Sequence, residues 1–122
     1  MMAEKINIGE KFSLFSEHWR PKVLADVNGQ EFKIVKLQGE FPWHFHATAD
    51  EFFMVWKGEF RVEFRDRVVT MAPGECLVVP RGVEHRTAAD AEAEVMVFAA
   101  AGERNTGDVE HHTFTAPDGV HI

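Results

Sequence analysis

Turn-forming residues divide this chain of 122 residues into short apolar segments at nearly regular intervals. The strongest of these turns is Asn28-Gly29, a dipeptide typical of two-residue β-hairpins. Further breaks follow at Lys57-Gly58, Arg65-Asp66-Arg67, Pro73-Gly74 and Pro80-Arg81-Gly82. Short strands with regular turns are typical of a sandwich or barrel, and they argue against alternating β-α-β units. The sequence therefore predicts an all-β fold.

The segments between the turns are the predicted strands. They cover residues 23–26, 31–37, the surroundings of residue 44, and residues 51–56, 60–65, 68–71, 75–79, 85–88 and 94–99. Phe12, Phe15 and Trp19 recur at helical spacing, which predicts a short amphipathic helix within residues 9–20; an extended arm over the sheet is the alternative. We expect one domain, with an N-terminal arm or helix (1–22), a barrel (23–100), and a tail (101–122) that contains a turn over residues 105–108.

Composition narrows the classes of partner. The net charge of −7 argues against a nucleic-acid groove or an anionic membrane surface. No apolar run approaches the roughly 20 residues of a membrane span, and the N-terminus lacks the apolar core of a signal peptide. The single cysteine, Cys76, cannot form an internal disulfide, which predicts a cytoplasmic location. Because its neighbours are apolar, Cys76 itself is expected to be a small buried side chain.

Three histidines and a glutamate are the candidate ligands of a metal ion. His44 and His46 are two residues apart, so on a strand both side chains project from the same face. A chain reversal can return Glu51 on the next strand, and His85 must then arrive from farther along the chain. Each residue alone could be a surface or core residue. Together they predict a site for one divalent transition metal such as Fe, Mn, Ni, Cu or Zn.

The spacing of these residues and of the turn glycines resembles the two paired motifs of the cupin superfamily. Gly39 to Gly58 reads G-x4-H-x-H-x4-E-x6-G, and Gly74 to His85 reads G-x5-P-x-G-x2-H. The family pattern usually has five residues where this chain has four before the histidine pair, and a terminal Asn where this chain has Ala89. The resemblance covers about residues 23–100. It implies a double-stranded β-helix, the cupin jelly-roll barrel, with His44, His46, Glu51 and His85 as the metal ligands.

Alternation along the strand that begins at Glu51 predicts what surrounds the metal. Phe53 and Val55 share the face of Glu51, which gives an apolar pocket for a small hydrophobic or aromatic ligand. Phe52, Met54 and Trp56 lie on the opposite face, and Trp43 and Phe45 are likewise expected to point away from the metal. An outer face this apolar is expected to be shielded from solvent, either by a second copy of the chain in a homodimer or by the N-terminal segment.

The leading functional hypothesis is a metal-dependent enzyme that acts on a small organic molecule, of oxygenase or isomerase type. The alternatives are a non-catalytic module that binds or senses a metal and a small ligand, and a barrel with no metal function. Sugar-epimerising cupins use a Tyr in proton transfer, and this chain has no tyrosine. Arg81, Glu84 and Arg86 are candidate groups at the cavity mouth, unless they are exposed loop charges. We expect the remaining histidines to be surface or tail residues: His18, His111, His112 and His121.

Overall fold

One short helix and seven antiparallel strands form the regular structure of residues 3–122, which are the residues described by this computed structural model. The elements are α1 (Ile8–Phe12), β1 (Lys22–Val27), β2 (Gln30–Glu40), β3 (Glu51–Lys57), β4 (Phe60–Glu63), β5 (Val68–Met71), β6 (Cys76–Val79) and β7 (Arg86–Ala100). The predicted all-β class is confirmed. No helix within residues 3–122 is long and apolar enough to cross a membrane.

Strand β7 connects most of the sheet. The strand order is β1-β2-β7-β3-β6, and β4 pairs with both β7 and β5. The prediction of two separate strands at 85–88 and 94–99 is wrong, because one strand runs through both. Between the two segments, residues 90–92 are exposed, whereas Ala89 and Ala93 are buried. Asp90 accepts a hydrogen bond from Arg61, and Glu92 is hydrogen-bonded to His18. The strand therefore continues through a short exposed stretch without a turn.

The core follows the alternation of inward and outward residues. Phe53 and Val55 of β3 are buried at 5% and 1% exposure, whereas Trp56 is 42% exposed, as the alternation predicts. Val35 and Leu37 of β2 join them on the inner face. The inner positions of β2, β3 and β7 thus form one apolar interior, and burial of each such side chain contributes about 1.5–3 kcal/mol.

The N-terminal segment forms a helix shorter than residues 9–20. The side chain of Asn7 caps α1 by accepting a hydrogen bond from the backbone N–H of Glu10. Phe12, the last helical residue, is 2% exposed and packs with Leu24, Ile34 and Met96 on the outer face of the sheet. Beyond it the chain is an arm, so the expected helix and the expected arm are both present in part.

The segment 101–122 folds back over the sheet. The backbone N–H of Val23 donates to Val120 and that of Ile122 donates to Val23, at 2.7 and 3.1 Å. The predicted turn over residues 105–108 is present, and Thr106 within it is 0% exposed. Its hydroxyl is hydrogen-bonded to that of Thr115 at 2.8 Å. This segment is therefore a packed part of the structure.

Cys76 is exposed, so the expectation that it is buried is wrong. It pairs with Met54 across β3 and β6, and the same alternation exposes Val78 and buries Val79. Apolar neighbours in the sequence indicated a strand correctly, but they could not tell which face of that strand remains open to solvent.

Candidate metal centre

Two of the predicted ligands are held side by side by the backbone. The N–H of His44 donates to the carbonyl of His85, and the N–H of His85 donates to the carbonyl of His44, both at 2.9 Å. This isolated bridge stands where the sequence predicts a strand around residue 44. Because directly opposed residues of an antiparallel pair project to the same side, the two rings lie with their centroids 4.4 Å apart.

The loop before His85 is tied to the other histidine of the pair. The backbone N–H of Gly82 donates to the carbonyl of His46 at 2.8 Å. Gly82 has a φ of 79°, a left-handed conformation that glycine adopts without steric cost. Glu51 is placed by β3, whose first residue lies between Val79 of β6 and Ala99 of β7. Residues distant in the sequence therefore meet at one end of the interior.

The four side chains converge on one point. His44, His46, Glu51 and His85 each offer a ligand atom, and these atoms all lie within 4.8 Å of one another. Oε1 of Glu51 is 3.3 Å from Nε2 of His46 and 3.4 Å from Nε2 of His85. Around an ion with ligands at about 2.0–2.2 Å, adjacent ligand atoms lie roughly 3.0–3.4 Å apart. The spacing fits a shared cation.

Backbone carbonyls determine which ring nitrogen of two histidines faces the centre. Nδ1 of His44 is 2.8 Å from the carbonyl oxygen of Pro42, and Nδ1 of His85 is 2.9 Å from that of Val83. A carbonyl oxygen only accepts hydrogen bonds, so Nδ1 carries the proton in each neutral ring. Nε2 is then left with a free lone pair, the usual arrangement for a histidine that binds a metal.

Unsatisfied polar atoms support this assignment. Within residues 3–122, five buried side-chain nitrogen or oxygen atoms have no hydrogen-bond partner, and four of them belong to His46, Glu51 and His85. Buried polar groups without partners are costly and rare in proteins. Three of the four, Nε2 of His46, Nε2 of His85 and Oε1 of Glu51, lie together and fit a site whose remaining partner is a metal ion.

The electrostatics of the cluster also favour a cation. Burial would raise the pKa of Glu51, but the interactions with the nearby imidazoles of His46 and His85 outweigh it and hold that pKa well below its usual range. Burial, together with the charge of His85, lowers the pKa of His44 to about 4. Burial likewise opposes the charged form of His46, yet Glu51 and then Glu103 raise its pKa. Glu51 is therefore a buried carboxylate anion beside a neutral His44.

The family model of the cupin domain matches residues 31–100, a range that contains the four converging residues. The chain belongs to the cupin family. The prediction made from the two motifs is confirmed. Ala89, which stands where the motif usually ends in Asn, is 2% exposed and faces Gly39 across β2 and β7. That position is thus filled by core packing in this cupin.

Similar proteins agree with the family assignment and with the fold. The Bacillus subtilis protein YdbB is 30% identical over 88 residues, which cover 71% of this chain and 72% of YdbB. The crystal structure of a cupin-2 domain containing protein from Shewanella frigidimarina is 47% identical, with a TM-score of 0.76 over 76% of this chain and 91% of that one. Protein NMB1881 from Neisseria meningitidis is 29% identical, with a TM-score of 0.74 over 80% and 100% of the respective chains. The cupin jelly-roll fold is confirmed.

A cavity of about 550 Å³, its open mouth included, adjoins the converging ligands of this cupin. His44, His46 and Glu51 form part of its wall, and Phe53 also lines it. Val55, the other predicted pocket residue, instead lies in the core at 1% exposure and does not reach the cavity wall. We refer to this space as the site cavity.

Several residues that line the site cavity were not predicted from the sequence to lie there. Trp19 and Phe41 line it with their rings stacked at 4.8 Å, and Glu103, Arg104 and Asn105 reach it from the C-terminal segment. Both ends of the chain must fold back before these contacts exist, so no local pattern reveals them. Lys33 is different, because alternation with Val35 and Leu37 on β2 already places it on the inner face.

The charged candidates at the mouth lie in ion pairs away from the site cavity. Arg81 bonds Asp50 at 3.2 Å, and Glu84 bonds Arg65 at 2.6 Å. Arg86 bonds Glu63 at 2.7 Å, and its guanidinium lies 5.0 Å from the ring of Trp43. None of the three candidates is part of the cavity wall. The ring of Trp43 also contacts the guanidinium of Arg65 and is not part of the cavity wall.

The other histidines lie apart from the four converging residues. Nδ1 of His111 accepts hydrogen bonds from the backbone within its own turn, and His112 is exposed and stacked on His111. His18 is paired with Glu92 at 2.7 Å. His121 is paired with Asp26 at 3.1 Å, in a second, mostly exposed group of ligand-type side chains that also includes Glu31.

Proposed function

We propose that this cupin is a metal-dependent enzyme that acts on a small organic molecule, with a reaction of oxygenase or isomerase type. His44, His46, Glu51 and His85 hold one divalent transition metal. The observation that carries this proposal is the convergence of buried donor atoms that lack hydrogen-bond partners. When bound, such an ion supplies a Lewis acid with one or two coordination positions left for water or substrate.

The residues of the chain orient the metal ligands and form the wall of the site cavity. The carbonyls of Pro42 and Val83 orient two of the imidazoles. Glu103 lies with Oε1 3.5 Å from Nδ1 of His46, where a carboxylate orients a third ring and increases its basicity. Trp19 and Phe41 cover one side of the site cavity with stacked rings, so a small apolar or aromatic ligand is the expected occupant.

The test combines elemental analysis with turnover assays. Protein purified without added metal is expected to contain about one equivalent of a divalent transition metal per chain, since the ligands are preorganised. The identity of that metal selects the substrates to test. Turnover is expected to disappear in His46→Ala, measured with the same substrates. Wild-type protein that neither retains nor responds to any metal would contradict the proposal.

One observation favours a second candidate, a non-catalytic module that binds or senses a metal and a small ligand. Arg81, Glu84 and Arg86 are all engaged in ion pairs outside the site cavity, so none of these three candidates is placed to transfer a proton to a molecule bound there. Tight binding of a small ligand by the metal-loaded protein, without turnover under any condition tested, would favour this function over the enzyme.

We also propose that a second copy of the chain covers the outer face of the sheet. Phe32, Phe98, Phe52 and Val78 are directly opposed across β2, β7, β3 and β6, and they form one continuous apolar row. The phenylalanines are half-buried, and Val78 is 52% exposed. The N-terminal helix reaches only one end of the row, because Phe32 packs against the cluster that contains Phe12 and Ile34. A second copy of the chain is the cover that we propose for Phe98, Phe52 and Val78.

Sedimentation velocity tests the dimer with two matched valine variants. Val78→Lys places a charge in the apolar row and is expected to weaken self-association at least about 10-fold, because a buried unpaired charge is costly. Val68→Lys is the control, since Val68 is 56% exposed on β5, outside the row. A wild-type monomer at all concentrations, or equal effects of both variants, would contradict this partner assignment.

The cellular location that we propose is the cytoplasm. Cys76 is a free and exposed thiol. A reducing compartment preserves such a thiol, whereas an oxidising one favours its pairing with another chain.

A further inference from the structure

A buried lysine lies in the wall of the site cavity. Lys33 is 7% exposed, and it occupies an inner position of β2, two residues before Val35. It lines the same space as His46 and Phe53. Lysine is almost never buried unless its charge is paired. The group that pairs with this ammonium therefore determines which ligands the cavity can bind.

The partner that the chain supplies leaves the ammonium incompletely satisfied. Nζ of Lys33 is 3.8 Å from Oε1 of Glu31, which is too far for a hydrogen bond. Glu31 is itself 5% exposed, and this oxygen has no hydrogen-bond partner within residues 3–122. An ammonium has three N–H donors, and Lys33 uses none of them on a side chain or backbone group of the described residues. Those donors are available to a ligand in the cavity.

The free donors of Lys33 favour an anionic group on the ligand. Arg104 is already ion-paired with Glu110 at 3.7 Å, and Glu51 and Glu103 lie beside His46. A carboxylate of a bound ligand is the kind of group that the N–H donors of Lys33 can bind. The rest of the wall is largely apolar and aromatic, so the ligand that matches it combines one anionic group with an apolar body.

We propose that the ammonium of Lys33 binds a carboxylate of the molecule that occupies the site cavity, so that the substrates or ligands of this cupin are small monoanionic carboxylates with an apolar or aromatic body. This assignment rests on the proposed function, because it places the ligand beside the metal cluster. It makes Lys33 a residue that determines specificity. The metal retains its four ligands whether or not Lys33 is present.

Calorimetric titration with two probes of the same shape tests this assignment. Benzoate carries the anionic group, and benzamide is its neutral counterpart. We expect the metal-loaded wild type to bind benzoate about 10- to 100-fold more tightly than benzamide, since hydrogen bonds to charged groups are the stronger ones. Lys33→Met should abolish this preference, and Lys33→Arg should keep most of it. Lys57→Met, at an exposed position, is the control and should bind both probes like the wild type.

Removal of Lys33 leaves Glu31 buried without its ion pair, so the double variant Lys33→Met/Glu31→Gln is measured beside the single one. The two substitutions remove one positive and one negative charge, so the net charge of the protein is unchanged. If the double variant folds, its binding of the two probes tests the assignment even where the single variant does not fold. Equal binding of the two probes by the wild type would overturn the assignment. A preference for benzoate that persists in both variants would also overturn it, because the metal alone would then bind the anion.

A failure of the proposed function would give different results from a failure of the Lys33 assignment. The metal content of Lys33→Met, measured by elemental analysis, is expected to equal that of the wild type. A wild type that holds no metal would overturn the metal-dependent function itself. If the metal-free protein still prefers benzoate, and this preference depends on Lys33, the anion site stands without the metal.

Discussion

We expect the His85→Ala protein to lose nearly all of its metal while the barrel remains folded. His85 supplies one of the four converging donor atoms, and its Nε2 has no other partner. Changes to groups that merely orient a metal ligand typically lower affinity about 10- to 100-fold. Loss of the ligand itself should therefore lower it at least about 100-fold. Competition with a chromogenic chelator, followed by elemental analysis, measures the change.

The fold should survive because the backbone bridge between His44 and His85 does not depend on the ring. Truncation of a buried side chain still leaves a cavity, so a loss of roughly 2–4 kcal/mol in the free energy of unfolding is expected from chemical denaturation. His112→Ala is the matched control, an exposed histidine away from the cluster, and it should keep the metal. An unfolded His85→Ala, or one with wild-type metal affinity, would mean that His85 serves the core.

Gly107→Ala is expected to damage the site from outside it. Gly107 has a φ of 58°, and a Cβ at this position would clash with the carbonyl oxygen of Phe45 and lie 2.9 Å from Cδ2 of His44. The methyl group therefore forces apart the C-terminal segment and the loop that carries the histidine pair. Backbone strain and overpacking together should lower the free energy of unfolding by about 2–5 kcal/mol. Metal affinity should fall at least about 10-fold as His44 shifts.

The control for backbone strain is Gly119→Ala. Gly119 has a similar φ of 66°, but nothing lies within 4 Å of an added Cβ. This variant should lose only about 1 kcal/mol and keep its metal affinity. Both variants are measured by denaturant unfolding and by metal competition. Equal effects at the two glycines would show that strain alone operates, and that the contact with Phe45 does not hold the site.

The sequence predicted the metal cluster because the geometry of strands and turns encodes it locally. Alternation places His44 and His46 together, and it also places Phe53 beside Glu51. The same rule places Lys33 on the inner face. Because a charged residue is ordinarily expected to face solvent, the sequence offered no reason to predict Lys33 as a cavity residue. Local pattern alone also could not reveal the open face of β6 that exposes Cys76.

Contacts between distant segments were beyond the reach of sequence patterns. Trp19 lies in the arm beyond α1, where it has a φ of 64° and donates its indole N–H to the carbonyl of Gln38. Nothing in its own neighbourhood predicts its stacking on Phe41. Likewise, Asp108 accepts a hydrogen bond from the N–H of Phe45, a contact across 63 positions that is specified only by the complete fold.

The two ends of the chain have a consequence for how such proteins diversify. All four converging donor residues lie inside the matched range 31–100, whereas Trp19, Glu103 and Asn105, which shape the site cavity, lie outside it. Substitutions at the ends of the chain can therefore change which small molecule binds while the four metal ligands stay the same. Two relatives with identical ligand sets can thus differ in what they recognise, and a comparison restricted to the shared barrel would miss the difference.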